Sequence, residues 1–250
     1  MKKRSLKKVA LTLAAALAAS AVLTACSSKT GGSDTQPASA EAGGATGTEG
    51  TAGEEGGSKK DTLNVGISAE PATLDPHLQS GQATRLIKQQ IYRGLMTYTA
   101  DSSIETDVAD SYTVSDDGLT YTFLLKDATF HDGSPVTAED VKFSIERVMD
   151  ESVAATFGSD FRSVVDHVNA PDEKTVEIVL KQPCAPFLEY LCLPEAAVVS
   201  KAFCEANNND LSTVAMGCGP YSFGGWENGL SISVTKYDGW YGTPVQTPNI

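Results

Sequence analysis

The chain lacks an apolar run long enough to cross a bilayer alone. Its longest, residues 9–23, falls short of the roughly 20 residues a spanning helix needs. Basic charge is also scarce beyond the first residues. Residues 1–25 hold five of the 19 Lys and Arg and no Asp or Glu, which leaves 14 basic against 32 acidic side chains, a net charge of −18. Such a surface excludes nucleic acid and anionic lipid headgroups as partners. Cysteine is sparse: beyond Cys26 there are Cys184, Cys192, Cys204 and Cys218, with no Cys-x-x-Cys, so no zinc site is expected. The three histidines, His77, His131 and His167, are scattered. No Gly-x-Ser-x-Gly, His-Glu-x-x-His or other triad pattern is present, so no catalytic residue, metal ligand or cofactor is assigned. Residues 27–60 hold almost no large apolar side chain and cannot offset their ordering entropy by burial. They read as a flexible tether reaching on the order of 30 Å.

What is present begins with a processing signal. Lys2, Lys3, Arg4, Lys7 and Lys8 form a basic start, the apolar run follows, and Leu23-Thr24-Ala25-Cys26 resembles the bacterial lipobox. Residues 1–25 are therefore expected to be a lipoprotein signal peptide, and Cys26 the lipidated residue, a two-chain anchor being stable in a membrane. The alternative is a plain cleavage site beside a chance cysteine.

Folded structure is expected from residue 61 onward. Leu63, Val65 and Ile67 alternate as a short strand, and Pro71 and Pro76 hold an extended loop. After Gly81 a helical pattern places Leu86, Ile87, Gln90, Ile91 and Leu95 on one face. A rigid loop entering a helix N-terminus offers free N–H groups and a positive dipole end, a plausible ligand-facing edge. Residues 95–98 read as a strand. Tyr112 and Val114, the turn Asp116-Asp117-Gly118, and Leu119, Tyr121, Phe123 and Leu125 read as a hairpin. Thr137 and Asp140 are spaced as a helix cap, ahead of a face formed by Val141, Ser144, Ile145 and Val148. His131-Asp132 suits turn hydrogen bonds better than catalysis. Phe161, Val164 and Val165 are expected to be buried, and Val176, Ile178 and Leu180 to form a strand. Residues 184–193 read as helical, 196–199 as a short strand, Ser200 as the cap of one more short helix, and Leu230, Ile232 and Val234 as a last strand.

Four stretches carry a resemblance. Glu70-Pro71-Ala72-Thr73-Leu74-Asp75-Pro76-His77, residues 114–123, Gly217-Cys218-Gly219-Pro220-Tyr221 and Tyr237-Asp238-Gly239-Trp240-Tyr241-Gly242 resemble, in order, motifs of the family 5 solute-binding proteins. These are extracytoplasmic receptors of ABC importers for oligopeptides, dipeptides and nickel chelates. Cys218 stands where the family usually has Thr, and the aromatics of the last motif are exchanged. The resemblance spans residues 62–245.

It implies an α/β fold: a type II periplasmic-binding-protein-like first lobe with an inserted strand-rich subdomain, the second lobe being absent from this chain. The implied segments are 26–60 as lipidated cysteine and tether, 61–94 as the first part of lobe I, 95–213 as the insert, and 214–250 as the return to lobe I. The opening strand and the Gly219-Pro220-Tyr221 segment are then expected side by side in one sheet. The implied function is peptide binding and delivery to a membrane permease, by a monomer. Ser80, Gly81 and Gln82 match ligand-contacting positions of peptide-binding relatives. Gly219 and Tyr221 are further candidates, with hinge or core structure as their alternative. A nickel chelate or other small solute is the alternative ligand, His77 lying on the ligand-facing loop. A secreted hydrolase and an adhesive or signalling lipoprotein are less favoured. In an oxidising compartment Cys184, Cys192, Cys204 and Cys218 are candidate disulfide cysteines with three connectivities, unless an anaerobic host leaves them reduced. Without a second lobe, tight ligand trapping is not expected.

Overall fold

Alternation of apolar side chains decides the central sheet. In this computed structural model the described residues are 61–78 and 81–250; Cys26, the tether and Ser80 lie outside them. Strands β1 (Met96–Tyr98) and β2 (Ile104–Thr106) form a short antiparallel pair. Strands β3 (Ala109–Val114) and β4 (Thr120–Leu125) then turn about Asp116-Asp117-Gly118, where Gly118 sits at φ +69° and the Asp117 carboxylate accepts the Leu119 N–H at 3.0 Å. With β5 (Val165–Asn169) and β6 (Thr175–Leu180) they make a four-stranded antiparallel sheet in the order β3-β4-β6-β5. Tyr121 opposes Ile178 and Phe123 opposes Val176 on its buried face. Tyr112 and Val114 alternate as expected but stay largely exposed, because β3 is the sheet edge.

Helix α2 (Ala138–Met149) packs on that sheet through Val141, Ile145 and Val148, each worth roughly 1.5–3 kcal/mol of burial. Its start is the expected capping box: Thr137 Oγ1 accepts the Asp140 N–H at 3.3 Å, and Asp140 Oδ2 accepts the Thr137 N–H at 3.1 Å. Helix α3 (Gly158–Val164) leads into β5, with Phe161, Val164 and Val165 buried. Residues 184–193 contain only a four-residue helix, α4 (Phe187–Tyr190), ahead of a 3-10 turn at Pro194–Ala196. The strand expected at 196–199 does not form. That stretch is buried and extended, held by Val198 N–H to Arg93 O (2.8 Å) and Val199 N–H to Ser144 Oγ (2.9 Å), with no neighbouring strand. Helix α5 (Lys201–Ala206) is capped by Ser200, whose hydroxyl accepts the Phe203 N–H.

A second group of buried side chains gathers around α1 (Gln82–Ile91) and the hairpin β7 (Tyr221–Glu227) and β8 (Ser231–Lys236). Ile91, Tyr92, Leu211, Tyr221 and Val234 form it. The glycines at 217 and 219 let the returning chain lie directly on the last turn of α1. A Cβ at 217 would stand 2.2 Å from Ile91 O, and one at 219 would stand 2.5 Å from Gln90 O.

Three expectations are corrected here. The opening segment is extended but is not a strand: only Thr62 bridges, to Asn249, and Leu63, Val65 and Ile67 are 49%, 55% and 38% exposed. No described backbone lies alongside residues 64–69 to complete a ladder. The opening segment and β7 do belong to one array, yet not as neighbours. Thr62 bridges Asn249, Asn249 bridges Thr235 of β8, and β8 pairs with β7. Finally, α1 buries Ala83, Thr84, Lys88 and Ile91, leaving Leu86 48% exposed. The helix is turned from the apolar face the sequence suggests because Lys88 reaches the Leu78 carbonyl on the inner side.

Candidate functional site

The loop that feeds α1 is built from its own short-range hydrogen bonds. The Asp75 N–H donates to Thr73 Oγ1 (3.1 Å), and the His77 N–H donates to Asp75 Oδ1 (3.0 Å). The Leu74 N–H reaches Ser212 O (2.9 Å), while His77 O accepts from the Thr156 N–H (3.0 Å). These bonds satisfy a polar loop whose residues 73–77 are buried.

An ion pair then fixes the loop to α2. Arg147, in the last turn of α2, donates to both Asp75 oxygens, at 3.1 and 2.6 Å. It also donates to His77 Nδ1 at 2.8 Å and to Asn209 O at 2.9 Å. His77 Nδ1 therefore accepts, and its Nε2–H donates to Ala197 O at 2.9 Å. Burial, with the adjacent Arg147 guanidinium, pushes the His77 pKa down to about 4, which keeps the ring neutral. Both nitrogens are engaged, so His77 is neither a solvated loop histidine nor free to ligate a metal. Lys88, 1% exposed, donates to Leu78 O at 3.2 Å. Burial lowers its pKa to about 8, against the opposing pull of Asp75 and Glu195.

Helix α1 begins shortly after this loop. Gly81 is the N-cap residue, at φ −69° and ψ 169°, and brings no side chain to the first turn, which has no acidic residue either. Gly81 and Gln82 are exposed, and the first helical N–H groups have no intrahelical acceptor. This end suits a carboxylate or carbonyl oxygen. Ser80 precedes it, outside the described residues.

Gly219 and Tyr221 lie elsewhere. The Gly219 N–H donates to Ile91 O (2.8 Å), at the opposite end of a helix about 15 Å long. Tyr221 is 5% exposed, and its hydroxyl donates to Thr247 O at 2.9 Å. Both are buried and lie away from Gly81 and Gln82.

His131 does not stabilise its own turn. Asp132 does, accepting from the Ser134 N–H at 2.9 Å. His131 instead reads the returning chain: its Nδ1 accepts the Gly217 N–H (3.3 Å) and its Nε2 bonds Gly219 O (3.1 Å). The 237–242 motif is also structural. Tyr237 donates to Phe130 O (2.7 Å), Tyr241 donates to Asp107 Oδ1 (2.6 Å), and the Arg93 guanidinium lies 5.1 Å from the Trp240 ring centre. The four cysteines from 184 onward are free thiols, correcting the expected disulfides. Cys204 and Cys218 are fully buried in different apolar groups, and the Cys192 thiol donates to Leu188 O within its own turn. Among the described residues no cluster of three or more His, Cys, Asp or Glu is placed to hold a metal, and no helix is long and apolar enough to cross a membrane.

Sequence reasoning missed Lys88 and Arg147, the partner of Asp75. Arg147 is 72 residues from Asp75, and helical spacing alone marks neither it nor Lys88 as buried.

Comparison with known proteins agrees with this architecture. The family model described as bacterial extracellular solute-binding proteins, family 5 Middle, matches residues 103–250. The probable D,D-dipeptide-binding periplasmic protein DdpA of Escherichia coli K12 is 36% identical over 186 residues, covering 69% of this chain and 35% of that protein. The structure of AgaA from A. tumefaciens R10 in complex with agropinic acid matches with a TM-score of 0.67 at 40% identity, covering 70% of this chain and 35% of that one. NikZ from Campylobacter jejuni in complex with Ni(L-His) matches with a TM-score of 0.69 at 29% identity, covering 76% and 38%. This chain thus spans about a third of the length of the relatives it matches. Its described part is a mixed α/β structure of the periplasmic-binding-protein type, and the chain belongs to the family 5 bacterial extracellular solute-binding proteins.

Proposed function

We propose that this chain supplies one lobe of the receptor of an ABC importer, anchored outside the cytoplasm through a lipid on Cys26, and that its ligand is a peptide. The observation that carries the reading is the family match over residues 103–250, joined by a relative named for D,D-dipeptide binding. In this reading residues 61–94 and 214–250 form the lobe, 95–213 its insert, and 26–60 the tether.

The ligand lies extended against the lobe and meets the Ser80, Gly81 and Gln82 end of α1. Backbone N–H groups there donate to any peptide's carboxylate or carbonyl oxygen, which gives affinity independent of side chains. The Asp75–Arg147 pair holds the loop that precedes this end. A second lobe swings over the ligand and the permease reads the closed form. No step is chemical, and the relatives named above are binding proteins. A nickel chelate is the second reading, favoured by the likeness to NikZ; His77 would not be its ligand.

Titrating the isotopically labelled chain with D-alanyl-D-alanine, followed by amide NMR, tests the site. The Gly81, Gln82 and Ala83 amides should shift together at millimolar dipeptide. Shifts confined to other residues would overturn it.

A further inference from the structure

The turn of residues 129–135 reaches across to the chain that returns through Gly217-Cys218-Gly219. Its own hydrogen bonds are short-range. The Phe130 N–H donates to Ser134 O (2.8 Å), and the Gly133 N–H donates to Phe130 O (2.9 Å), with Gly133 at φ +85°. His131 faces outward from this turn. Its N–H donates to Gly217 O at 3.0 Å, its Nδ1 accepts the Gly217 N–H at 3.3 Å, and its Nε2 lies 3.1 Å from Gly219 O. A carbonyl oxygen only accepts, so the ring proton sits on Nε2 and the lone pair on Nδ1. Tyr237 closes the other side. Its hydroxyl donates to Phe130 O (2.7 Å), its N–H donates to Pro220 O (2.9 Å), and its ring meets the imidazole edge-on at 5.0 Å between centres.

The returning chain depends on that ring. Among the described residues the Gly217 N–H has no acceptor other than His131 Nδ1, whereas the Gly219 N–H is held separately by Ile91 O. The ring is half-buried, so solvent protons reach it. Burial holds its pKa below the usual 6.5, against the pull of the Gly219 carbonyl and the Asp132 carboxylate. Asp132 is the charge on its own turn, and it accepts from the Ser134 N–H (2.9 Å) and hydroxyl (2.6 Å). On the return segment the Cys218 thiol stays neutral, its pKa pushed up by burial to about 12. On the hairpin side Lys236 and Asp238 pair with each other at 3.3 Å, and beside Cys218 Arg93 pairs with Asp107 at 3.6 Å. Neither pair adds net charge at the ring.

We propose that His131 is an acid-sensitive clasp on residues 217–219. A proton taken up from solvent at Nδ1 turns the acceptor of the Gly217 N–H into a second donor, and two N–H groups then face each other. The Nε2–H bond to Gly219 O remains, so Gly217 swings away about Gly219 while the turn and β7 keep their places. The grip is complete above about pH 6.5 and is lost as pH falls through the lower folded pKa of His131. The sign is the same as for His77, but the place is different. His77 is fully buried and bonds Arg147 and Ala197 O. The inference concerns the return segment and depends neither on the ligand nor on Cys26.

Proton–nitrogen NMR of the imidazole rings, with amide hydrogen exchange of the same 250-residue chain from neutral to acid pH, tests this. At neutral pH the His131 proton should be found on Nε2. As that ring titrates, protection of the Gly217 amide should fall by at least about tenfold relative to Ile178, which is paired on both sides within the central sheet. H131N keeps a side-chain oxygen to accept and cannot titrate, so its Gly217-to-Ile178 ratio should not change with pH. A constant ratio across the His131 titration, or a neutral-pH proton on Nδ1, would overturn the proposal. So would a fall that tracks the His77 ring instead, or one that persists in H131N. Should H131N not fold, the parent titration alone decides between these outcomes.

Discussion

Replacing Arg147 by Met removes the cation that fixes the loop of residues 73–77. The Asp75 side chain is 3% exposed and would keep the His77 N–H as its sequence-distant charge partner vanished. Breaking a buried pair on one side costs about 3–5 kcal/mol, because the remaining charge stays desolvated. With a urea m-value of about 2 kcal/mol/M, the unfolding midpoint should fall by about 2 M. Trp226 and Trp240 provide the fluorescence signal. Asp75→Leu alone should cost a similar amount, whereas the double variant D75L/R147M should cost less than the sum by about 2 kcal/mol or more. A pH series adds an independent check. The unfolded chain binds a proton at His77 below about 6.5, but the folded chain binds one only below about 4. The folded state therefore loses stability as pH falls through that window, by about 3 kcal/mol in total. An R147M midpoint within about 0.5 M of the parent, or additive single variants, would refute the reasoning.

Three further outcomes follow from the packing. Lys88→Met should raise stability at pH 7 by up to about 3 kcal/mol. The parent's Lys88 binds its proton less tightly folded than unfolded, so the gap should close as pH rises from about 8 toward 10, read as the difference between the two urea midpoints. Gly219→Ala should cost at least about 1–3 kcal/mol by the same assay, since its methyl meets Gln90 O at 2.5 Å; an unchanged midpoint would contradict the close approach. In a chain starting at Ser27, four thiols should react with maleimide on unfolding without reductant. In the folded chain Cys184 and Cys192 should react first, because they are partly exposed whereas Cys204 and Cys218 are buried. Fewer than four would reveal a disulfide.

Local patterns were legible where one face alone carries the burial. The β3–β4 turn, the Thr137 capping box and the Val176-Ile178-Leu180 strand depend on neighbours within a few residues, and each stands as its pattern predicts. The pattern failed where distant chain decides. Leu63, Val65 and Ile67 alternate like a strand, but a strand requires a partner, and past the Leu63 N–H bond to Asn249 O no described backbone pairs with residues 64–69. Lys88 is buried against helical periodicity because loop carbonyl and carboxylate groups meet it inside. At the candidate site, Gly81 and Gln82 are exposed where the loop-to-helix pattern places them. The Arg147 anchor behind them had no sequence signature, since its partners are about 70 residues away.

Calorimetry of the 250-residue chain with D-alanyl-D-alanine, with the dipeptide analysed afterward, tests the central claim most directly. A single receptor lobe should bind it at about 1 mM or more weakly, roughly −4 kcal/mol, and return it intact. Micromolar binding by this chain alone, or cleavage of the dipeptide, would contradict the account.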